Sequence, residues 1–371
     1  MERITVVSNL NAEGKRTAAL RAGRTGKEYS PLGEADLRRE AIRYMIAMAS
    51  VKWTANDRFD YSFNNKLLVY EPGQTYYGVI YNNNRNGLEA FTDAIDENGV
   101  LHVKDTGWDS CPGNSCATSI RHAWQLVSPE VEFNYCIDMM PVGPGKGMAP
   151  VGKIRWDLYD GKNTTESILK NMPEEDVLEA YIAAKPGDGM VRYLDTGGHA
   201  LMVTKEPYVK RDRNGIINKD ESTLFLTDQN NLLNTTREYL SSWKIDKAVT
   251  FTKALECGWL PVSLKVFREG RAEKAYVKAY GAPTEESLAK KIDLLGELKS
   301  NYCFVNVSAK LTRGRKTIAS VTVHPYERTF SLRKLRFGKT IEALQSGSYK
   351  LTLTAKAGVY EFEPLSVSFQ I

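Results

Sequence analysis

Apolar residues recur every three or four positions in two stretches of the first half of the chain, the spacing of one buried helix face. The first stretch predicts a helix over 36–53, and the second predicts a helix that begins at Cys116. A short helix is also predicted near 88–91. The two stripes consist of Leu37, Ala41, Ile42, Met45, Ile46 and Ala49, and of Cys116, Ile120, Ala123, Trp124 and Val127.

Alternation of apolar and polar residues, which is typical of strands, dominates the second half of the chain. Strands are predicted at 190–194 and 223–227, and an apolar strand begins at His199 directly after two glycines. The segment 259–264 is predicted to close the same sheet. Together these elements predict an α+β domain with early helices and an antiparallel sheet.

The pattern changes again near residue 270. A helix is predicted over 285–298, followed by short alternating segments separated by turn signals. Such spacing is typical of a small β-sandwich of immunoglobulin-like type. We therefore predict three parts, namely a polar arm (1–34), an α+β domain (35–270) and a β-sandwich (271–371).

Cys116 is the first candidate for chemistry. It follows a turn-forming segment, 111–115, and opens a predicted helix that Asn114 or Ser115 can cap. A thiol in the first helical turn lies near unsatisfied N–H groups and the positive end of the dipole, which favour the thiolate. The alternative is a small buried cysteine that packs the helix. Cys111 is a rival nucleophile, but it precedes Pro-Gly instead of a helix.

His199 and the tripeptide 228–230 supply candidate partners for this thiol. Side chains alternate along a strand, so Asp228 and Asn230 are expected on one face. If their strand pairs with the strand of His199, a carboxylate and an amide lie beside the imidazole, as the third member of a triad must. The alternatives are a structural histidine and a polar strand end that turns into solvent.

The order of these segments resembles the CHAP and NlpC-type peptidases, which are papain-like cell-wall amidases and endopeptidases. Their nucleophile helix resembles Gly113-Asn114-Ser115-Cys116 of this chain. Their hairpin that carries the catalytic base resembles Pro186-Gly187-Asp188 and Gly198-His199. The residues that orient this base resemble Asp228-Gln229-Asn230. The resemblance covers about 35–265. Asp228 stands where the CHAP pattern has Glu, and Ser-Cys-Ala-Thr stands where many NlpC-type enzymes have Asp-Cys-Ser-Gly.

The resemblance implies a papain-like fold in which Cys116 attacks, His199 is the base, and Asp228, assisted by Asn230, orients it. It also implies that Tyr81, which ends a predicted strand over 78–81, lies beside the thiol as an oxyanion donor. Tyrosines at 76, 77 and 81, next to three asparagines, predict a substrate-binding wall, with simple loop packing as the alternative. The predicted oxyanion and substrate-binding residues are Tyr81, Tyr77, Gln229 and Trp108.

Composition and charge limit the partners and cofactors that the chain is expected to bind. The chain has 371 residues, of which 42% are hydrophobic and 26% charged, and no apolar stretch approaches membrane-spanning length. Five scattered cysteines and four histidines show no metal-binding spacing, so neither a metal nor a cofactor is predicted.

Charge is distributed unevenly along the chain. Residues 271–371 carry 17 Lys and Arg against 9 Asp and Glu, a net charge of +8, whereas residues 1–270 have a net charge of −3. This basic part predicts an anionic wall polymer as partner, and no nucleic-acid motif accompanies it.

The predicted function is a cysteine hydrolase that cleaves an amide in peptidoglycan stem peptides. The alternatives are an inactive wall- or polysaccharide-binding protein and a thiol acyltransferase on the same residues. No export signal is visible, so the protein is either cytoplasmic or an exported protein whose leader has been removed. The resemblance favours the second, a secreted or envelope protein. The bond cleaved, the role of residues 1–34 and the oligomeric state stay open.

Overall fold

A computed structural model describes residues 32–62, 68–142, 147–159, 161, 164–235, 240–270 and 273–371. Within these residues the chain divides into two compact units, one over Leu32–Ala272 and the other over Glu273–Ile371. Most of the predicted arm, up to residue 31, lies outside the described residues. The fold mixes helices with several sheets, which agrees with the predicted α+β class.

The larger unit is built on a nine-stranded sheet of order β5-β1-β4-β10-β9-β8-β7-β11-β6, and a separate pair, β2-β3. Its strands are β1 (Lys52–Ala55), β2 (Phe59–Asp60), β3 (Val69–Tyr70), β4 (Thr75–Tyr77), β5 (Val100–Leu101), β6 (Met148–Pro150), β7 (Gly189–Leu194), β8 (Gly197–Tyr208), β9 (Thr223–Thr235), β10 (Leu240–Thr250) and β11 (Leu260–Leu264).

The sequence predicted an antiparallel sheet, but two pairs of neighbouring strands in this sheet are parallel. Strands β10 to β6 pair antiparallel, but β4 runs parallel to β10 and β1 runs parallel to β5. The partners in each parallel pair are distant in sequence, so no hairpin fixes their direction. Strand β11, which the sequence predicted to close this sheet, belongs to it and lies between β7 and β6.

Two predicted boundaries in this unit move for a physical reason. The first helix ends at Ser50 instead of residue 53, since the side chains of Trp53 and Ala55 alternate into the core as part of β1. Strand β9 does not end before the tripeptide 228–230, because its pairing with β10 continues past Trp243. The helices are α1 (Glu34–Ser50), α2 (Gly87–Asp93), α3 (Cys116–Gln125), α4 (Thr165–Lys170), α5 (Glu174–Ala183), α6 (Phe251–Glu256) and α7 (Lys265–Glu269).

An aromatic cluster fills the core beside β1 and β4. Trp53 stacks on Tyr76 with ring centroids 5.0 Å apart, and it meets Phe91 edge-on at 5.5 Å. Tyr76, which the sequence had placed in a binding wall, is therefore a core residue with 1% of its surface exposed. Large aromatic pairs of this kind contribute burial and specific geometry together.

A buried ion pair joins α1 to the start of β7. Arg38 Nη1 lies 2.8 Å from Asp188 Oδ1, and the side chain of Asp188 has no exposed surface. The same carboxylate accepts hydrogen bonds from the Ser263 hydroxyl and the Lys185 backbone N–H. The neighbouring Gly187 carbonyl accepts from the Trp124 indole of α3 at 2.9 Å. These contacts hold the loop before β7 against the two helices.

The smaller unit consists of two antiparallel sheets, ordered β12-β13-β16 and β15-β14-β17-β18, that share a hydrophobic core. The predicted helix over 285–298 is shorter, because the backbone turns left-handed at Lys291 and Leu298 enters a strand. The elements are β12 (Val277–Tyr280), α8 (Glu285–Ala289), β13 (Glu297–Ser300), β14 (Phe304–Arg313), β15 (Lys316–Val323), β16 (Thr329–Ser331), α9 (Gly338–Glu342), β17 (Ser348–Ala357) and β18 (Tyr360–Gln370).

Among the helices of the described residues, none combines the length and apolar character needed to cross a bilayer.

Replacing Asp188 with Ala is expected to lower the free energy of unfolding of the larger unit by about 3 kcal/mol, the lower end for breaking a buried ion pair, because Arg38 keeps only the partly exposed Glu34 as an ionic partner. Urea unfolding followed by tryptophan fluorescence measures this loss, because all six tryptophans lie between residues 53 and 259. The matched control is Asp157→Ala, which removes an ion pair with Arg155 whose side chains are 62% and 61% exposed. It should leave the midpoint almost unchanged. Equal losses in both variants would refute the role assigned to Asp188.

Candidate active site

Cys116 is the first residue of α3, and local hydrogen bonds fix the start of this helix. The Ser115 side chain accepts from the Thr118 backbone N–H at 3.5 Å, and the Thr118 hydroxyl accepts from the Ser115 backbone N–H at 2.8 Å. This is a capping box, with threonine in the position often held by Glu. The thiol therefore sits at the positive end of the helix, where a negative charge is stabilised.

His199 and Asp228 lie on the neighbouring antiparallel strands β8 and β9. His199 Nε2 donates a hydrogen bond of 2.9 Å to Asp228 Oδ2. Asn230 Nδ2 lies 3.5 Å from the same carboxylate oxygen, so the two residues predicted to share a face do meet. Burial acts to raise the pKa of Asp228, but the ring, Lys244 and Asn230 together lower it. Because Nε2 faces the carboxylate, Nδ1 is the ring nitrogen left for the thiol.

The surroundings of the Cys116 sulfur favour the thiolate. The Cys136 thiol, whose sulfur lies 3.9 Å away, lowers the pKa of Cys116 most; burial opposes this. The His199 ring and the Ala200 backbone N–H lower the pKa further, and the net result is well below the ordinary value. Only one of two adjacent thiols ionises, and we assign the charge to Cys116 because it also has the helix start and the imidazole. The pKa of Cys136 is correspondingly raised.

The contacts of His199 with Cys116 and Asp228 also change the pKa of the imidazole. Burial disfavours the charged ring, but hydrogen bonds with Asp228 and with the Cys116 sulfur raise the pKa of His199 to about 9. The thiol loses its proton well below its usual pH, whereas the ring keeps its proton up to about pH 9. Between these limits the pair is a thiolate and an imidazolium, the reactive form of a cysteine nucleophile.

Gln229 has a different position from the one predicted. It is fully buried, its Oε1 accepts from the Ser119 hydroxyl at 2.8 Å, and its Nε2 donates to the Val79 carbonyl at 2.7 Å. Since both polar ends are engaged, Gln229 has no free group to offer a substrate. It instead links α3, β9 and the segment that leads to Tyr81.

Tyr81, which the resemblance implies as an oxyanion donor, lies near enough to interact with the Cys116 sulfur, and it forms an isolated bridge with Asn114 instead of ending a strand. Burial and the nearby Cys116 charge raise the pKa of the Tyr81 hydroxyl well above its usual value, so it stays protonated and can donate. Trp108 packs against the Tyr81 ring with centroids 5.9 Å apart. Tyr77 lies in β4, where its carbonyl accepts from the Ser241 hydroxyl, and its role in binding stays a prediction.

Cys111, the rival nucleophile, is fully buried. Burial raises the pKa of its thiol to about 12, so it stays protonated at neutral pH. Because Cys111 stays protonated and buried, Cys116 is the better candidate for the nucleophile.

Three contributors to the site carry no signal in the sequence. Cys136 lies 20 residues after Cys116 in a segment without helical or strand periodicity. Ser119 and Ala200 act through a hydroxyl and a backbone N–H, which most residue patterns do not reveal. Within the described ranges, no three His, Cys, Asp or Glu side chains gather in a cluster that could hold a metal ion.

Comparisons with protein-family models, with curated proteins and with solved structures found no match to this chain.

Alkylation of Cys116 by iodoacetamide should reach half its maximal rate well below the pH of about 8.5 expected of an ordinary thiol. Replacing His199 with Ala should raise that midpoint, because the imidazolium no longer stabilises the thiolate. Peptide mass analysis after timed labelling measures the rate at each pH, and labelling of Cys257 in the same samples controls for reagent chemistry. An identical midpoint in both proteins would exclude the ion pair.

Proposed function

We propose that Leu32–Ala272 is a papain-like cysteine hydrolase that cleaves an amide bond. The observation that supports it most directly is the continuous array of Cys116 at a helix start, His199 beside its sulfur and Asp228 bonded to the ring. A thiolate, a general acid–base group and a carboxylate that orients it are the components of acyl transfer through a thioester. Three segments remote in sequence supply them.

The mechanism follows from the protonation states. The Cys116 thiolate attacks the amide carbonyl carbon, and the carbonyl oxygen becomes an oxyanion. Imidazolium at His199 then donates its proton to the leaving amine as the C–N bond breaks, which leaves a thioester. Neutral His199 next takes a proton from water, whose oxygen attacks the thioester, and the acid leaves as the thiolate returns. Asp228 keeps the ring oriented and stabilises its charged form throughout.

Two donors are available for the oxyanion. The backbone N–H of Cys116 belongs to the first turn of α3, where N–H groups have no partner within the helix. The protonated Tyr81 hydroxyl near the sulfur supplies the second. One such donor typically contributes about 3 kcal/mol to transition-state stabilisation.

The substrate class comes from the resemblance to CHAP and NlpC-type peptidases, which implies an amide in peptidoglycan stem peptides. The pair of rings formed by Tyr81 and Trp108 is an apolar surface next to the thiol, suited to pack against a sugar or a peptide. Either the bond between sugar and peptide or a bond within the peptide fits this chemistry.

For the smaller unit we propose an immunoglobulin-like sandwich that holds the enzyme on an anionic wall polymer, outside the cell or in its envelope. The balance of +8 over 271–371 supports this role. Arg333, Lys334 and Arg336 are exposed around a shallow hollow that Phe330 also lines, and Lys334 pairs with Glu327. A basic surface of this kind attracts polyanions, and the attraction weakens with added salt.

Incubation with purified peptidoglycan, followed by mass analysis of the soluble fragments, tests the proposed activity. Cys116→Ala should reduce fragment release to background because the nucleophile is lost. His199→Ala should reduce it by roughly 10²–10⁴-fold, the usual contribution of acid–base catalysis. Cys111→Ala, the matched control, should retain most of the activity.

Other outcomes separate the competing functions. Fragment release that persists in Cys116→Ala would reject the hydrolase. Wild-type protein that binds the wall polymer without releasing fragments would favour a binding protein. Incorporation of an added primary amine in excess of hydrolysis would favour an acyltransferase, since water and amines compete for the same thioester.

A further inference from the structure

A second thiol lies next to the candidate nucleophile; it supports the Cys116 thiolate, but no bond to it forms or breaks in the hydrolytic mechanism. Cys136 begins the 3₁₀ helix Cys136–Met139, and its sulfur is 3.9 Å from the sulfur of Cys116. Both side chains are buried, and both cysteines are free thiols in this structure. Two sulfurs at this distance are in contact without a covalent bond.

The absence of a side chain at Gly198 leaves the space that the Cys136 side chain occupies. A Cβ added to Gly198 would lie 2.6 Å from the Cβ of Cys136, so only glycine leaves room for this thiol against β8. Gly198 directly precedes His199, and the two thiols therefore meet at the position where the imidazole enters the site. Arg192, opposite His199 in β7, lies near enough to favour the ionised form of Cys136.

The pair lies just beneath the surface, since Cys116 and Cys136 keep 6% and 7% of their surface exposed. Gly198 is exposed, and Tyr135, the residue before Cys136, is 60% exposed. A thiolate near the surface, with a second cysteine 3.9 Å away, has the arrangement of a nucleophilic and a resolving cysteine at a redox-sensitive site.

We infer that Cys116 and Cys136 form a reversible disulfide when the Cys116 thiolate meets hydrogen peroxide. The thiolate sulfur attacks one peroxide oxygen, the O–O bond breaks, and Cys116 becomes a sulfenic acid while hydroxide leaves. The Cys136 sulfur then attacks the sulfenic sulfur, the S–O bond breaks, and that oxygen leaves as water with the proton from Cys136. Two electrons pass from the sulfurs to the peroxide, and an external dithiol returns them.

The required movement is small. A disulfide bond is about 2.0 Å long, so the two sulfurs must approach by roughly 1.9 Å. The inferred disulfide requires this displacement to come from rotation of a cysteine side chain about χ1 and a shift of the four-residue helix that carries Cys136.

The disulfide would mask the nucleophile and protect it from further oxidation to the sulfinic acid, which dithiols do not reduce. The effect on activity rests on the proposed function, whereas the formation of the disulfide does not. Oxidation would then switch the enzyme off, and a dithiol would switch it on again.

The test uses the full chain treated with hydrogen peroxide, quenched with N-ethylmaleimide and digested without reductant. Mass analysis should find a peptide pair joined through Cys116 and Cys136, which separates again after dithiothreitol. In Cys136→Ser, the sulfenic acid of Cys116 should be trapped by dimedone, and longer exposure should give sulfinic acid that dithiothreitol does not reverse. Cys257→Ala is the control and should still form the crosslink.

Activity is measured in parallel, and after the longer exposure it should return with dithiothreitol in the wild type but not in Cys136→Ser. Sulfinic acid at Cys116 of the wild type without any crosslink to Cys136 would overturn the inference, and this result needs no variant to fold. If the crosslink forms but the reduced protein releases no peptidoglycan fragments, the disulfide stands and the proposed hydrolase fails.

Discussion

The hydrogen bond between His199 and Asp228 is the contact on which the site depends. It joins two adjacent strands, and it places a carboxylate with 6% exposure next to an imidazole with 17% exposure. A buried carboxylate without a charged or hydrogen-bonding partner is costly, so each group requires the other. The bond also fixes which ring nitrogen faces the sulfur, and it keeps the ring charged when the thiol ionises. The character of Cys116 as a nucleophile follows from this pairing.

Other contacts hold the three catalytic segments at the distances this pairing needs. Gln229 is adjacent to Asp228 in β9, and its two hydrogen bonds reach Ser119 of α3 and the carbonyl of Val79. A single strand residue thus joins the helix that carries the thiol to the segment that carries Tyr81. The Asp188 ion pair secures the loop before β7, and hence the hairpin that presents His199. Rigid elements of this kind hold a reactive geometry more accurately than loops do.

The sequence was sufficient to predict features that depend on residues close together in the chain, such as helix caps and the alternation of side chains along a strand. The capping residues around Ser115 and the helical spacing after Cys116 predicted α3, and strand alternation predicted that Asp228 and Asn230 share a face. It was insufficient where the outcome depends on contacts between distant segments. The burial of Tyr76 beside Trp53 and the proximity of Cys136 to Cys116 result from tertiary packing that no periodicity reveals. The parallel pairing of β4 with β10 belongs to the same class.

The most direct test of the central claim is the titration of the His199 ring by nitrogen NMR in protein labelled at its four histidines. We predict that His199 carries both ring protons at neutral pH and loses one near pH 9. In Cys116→Ala the loss should occur at lower pH, because the thiolate charge that supports the imidazolium is absent. A ring that is already neutral at pH 7 in the wild type, or that titrates identically in both proteins, would contradict a thiolate–imidazolium pair stabilised by Asp228.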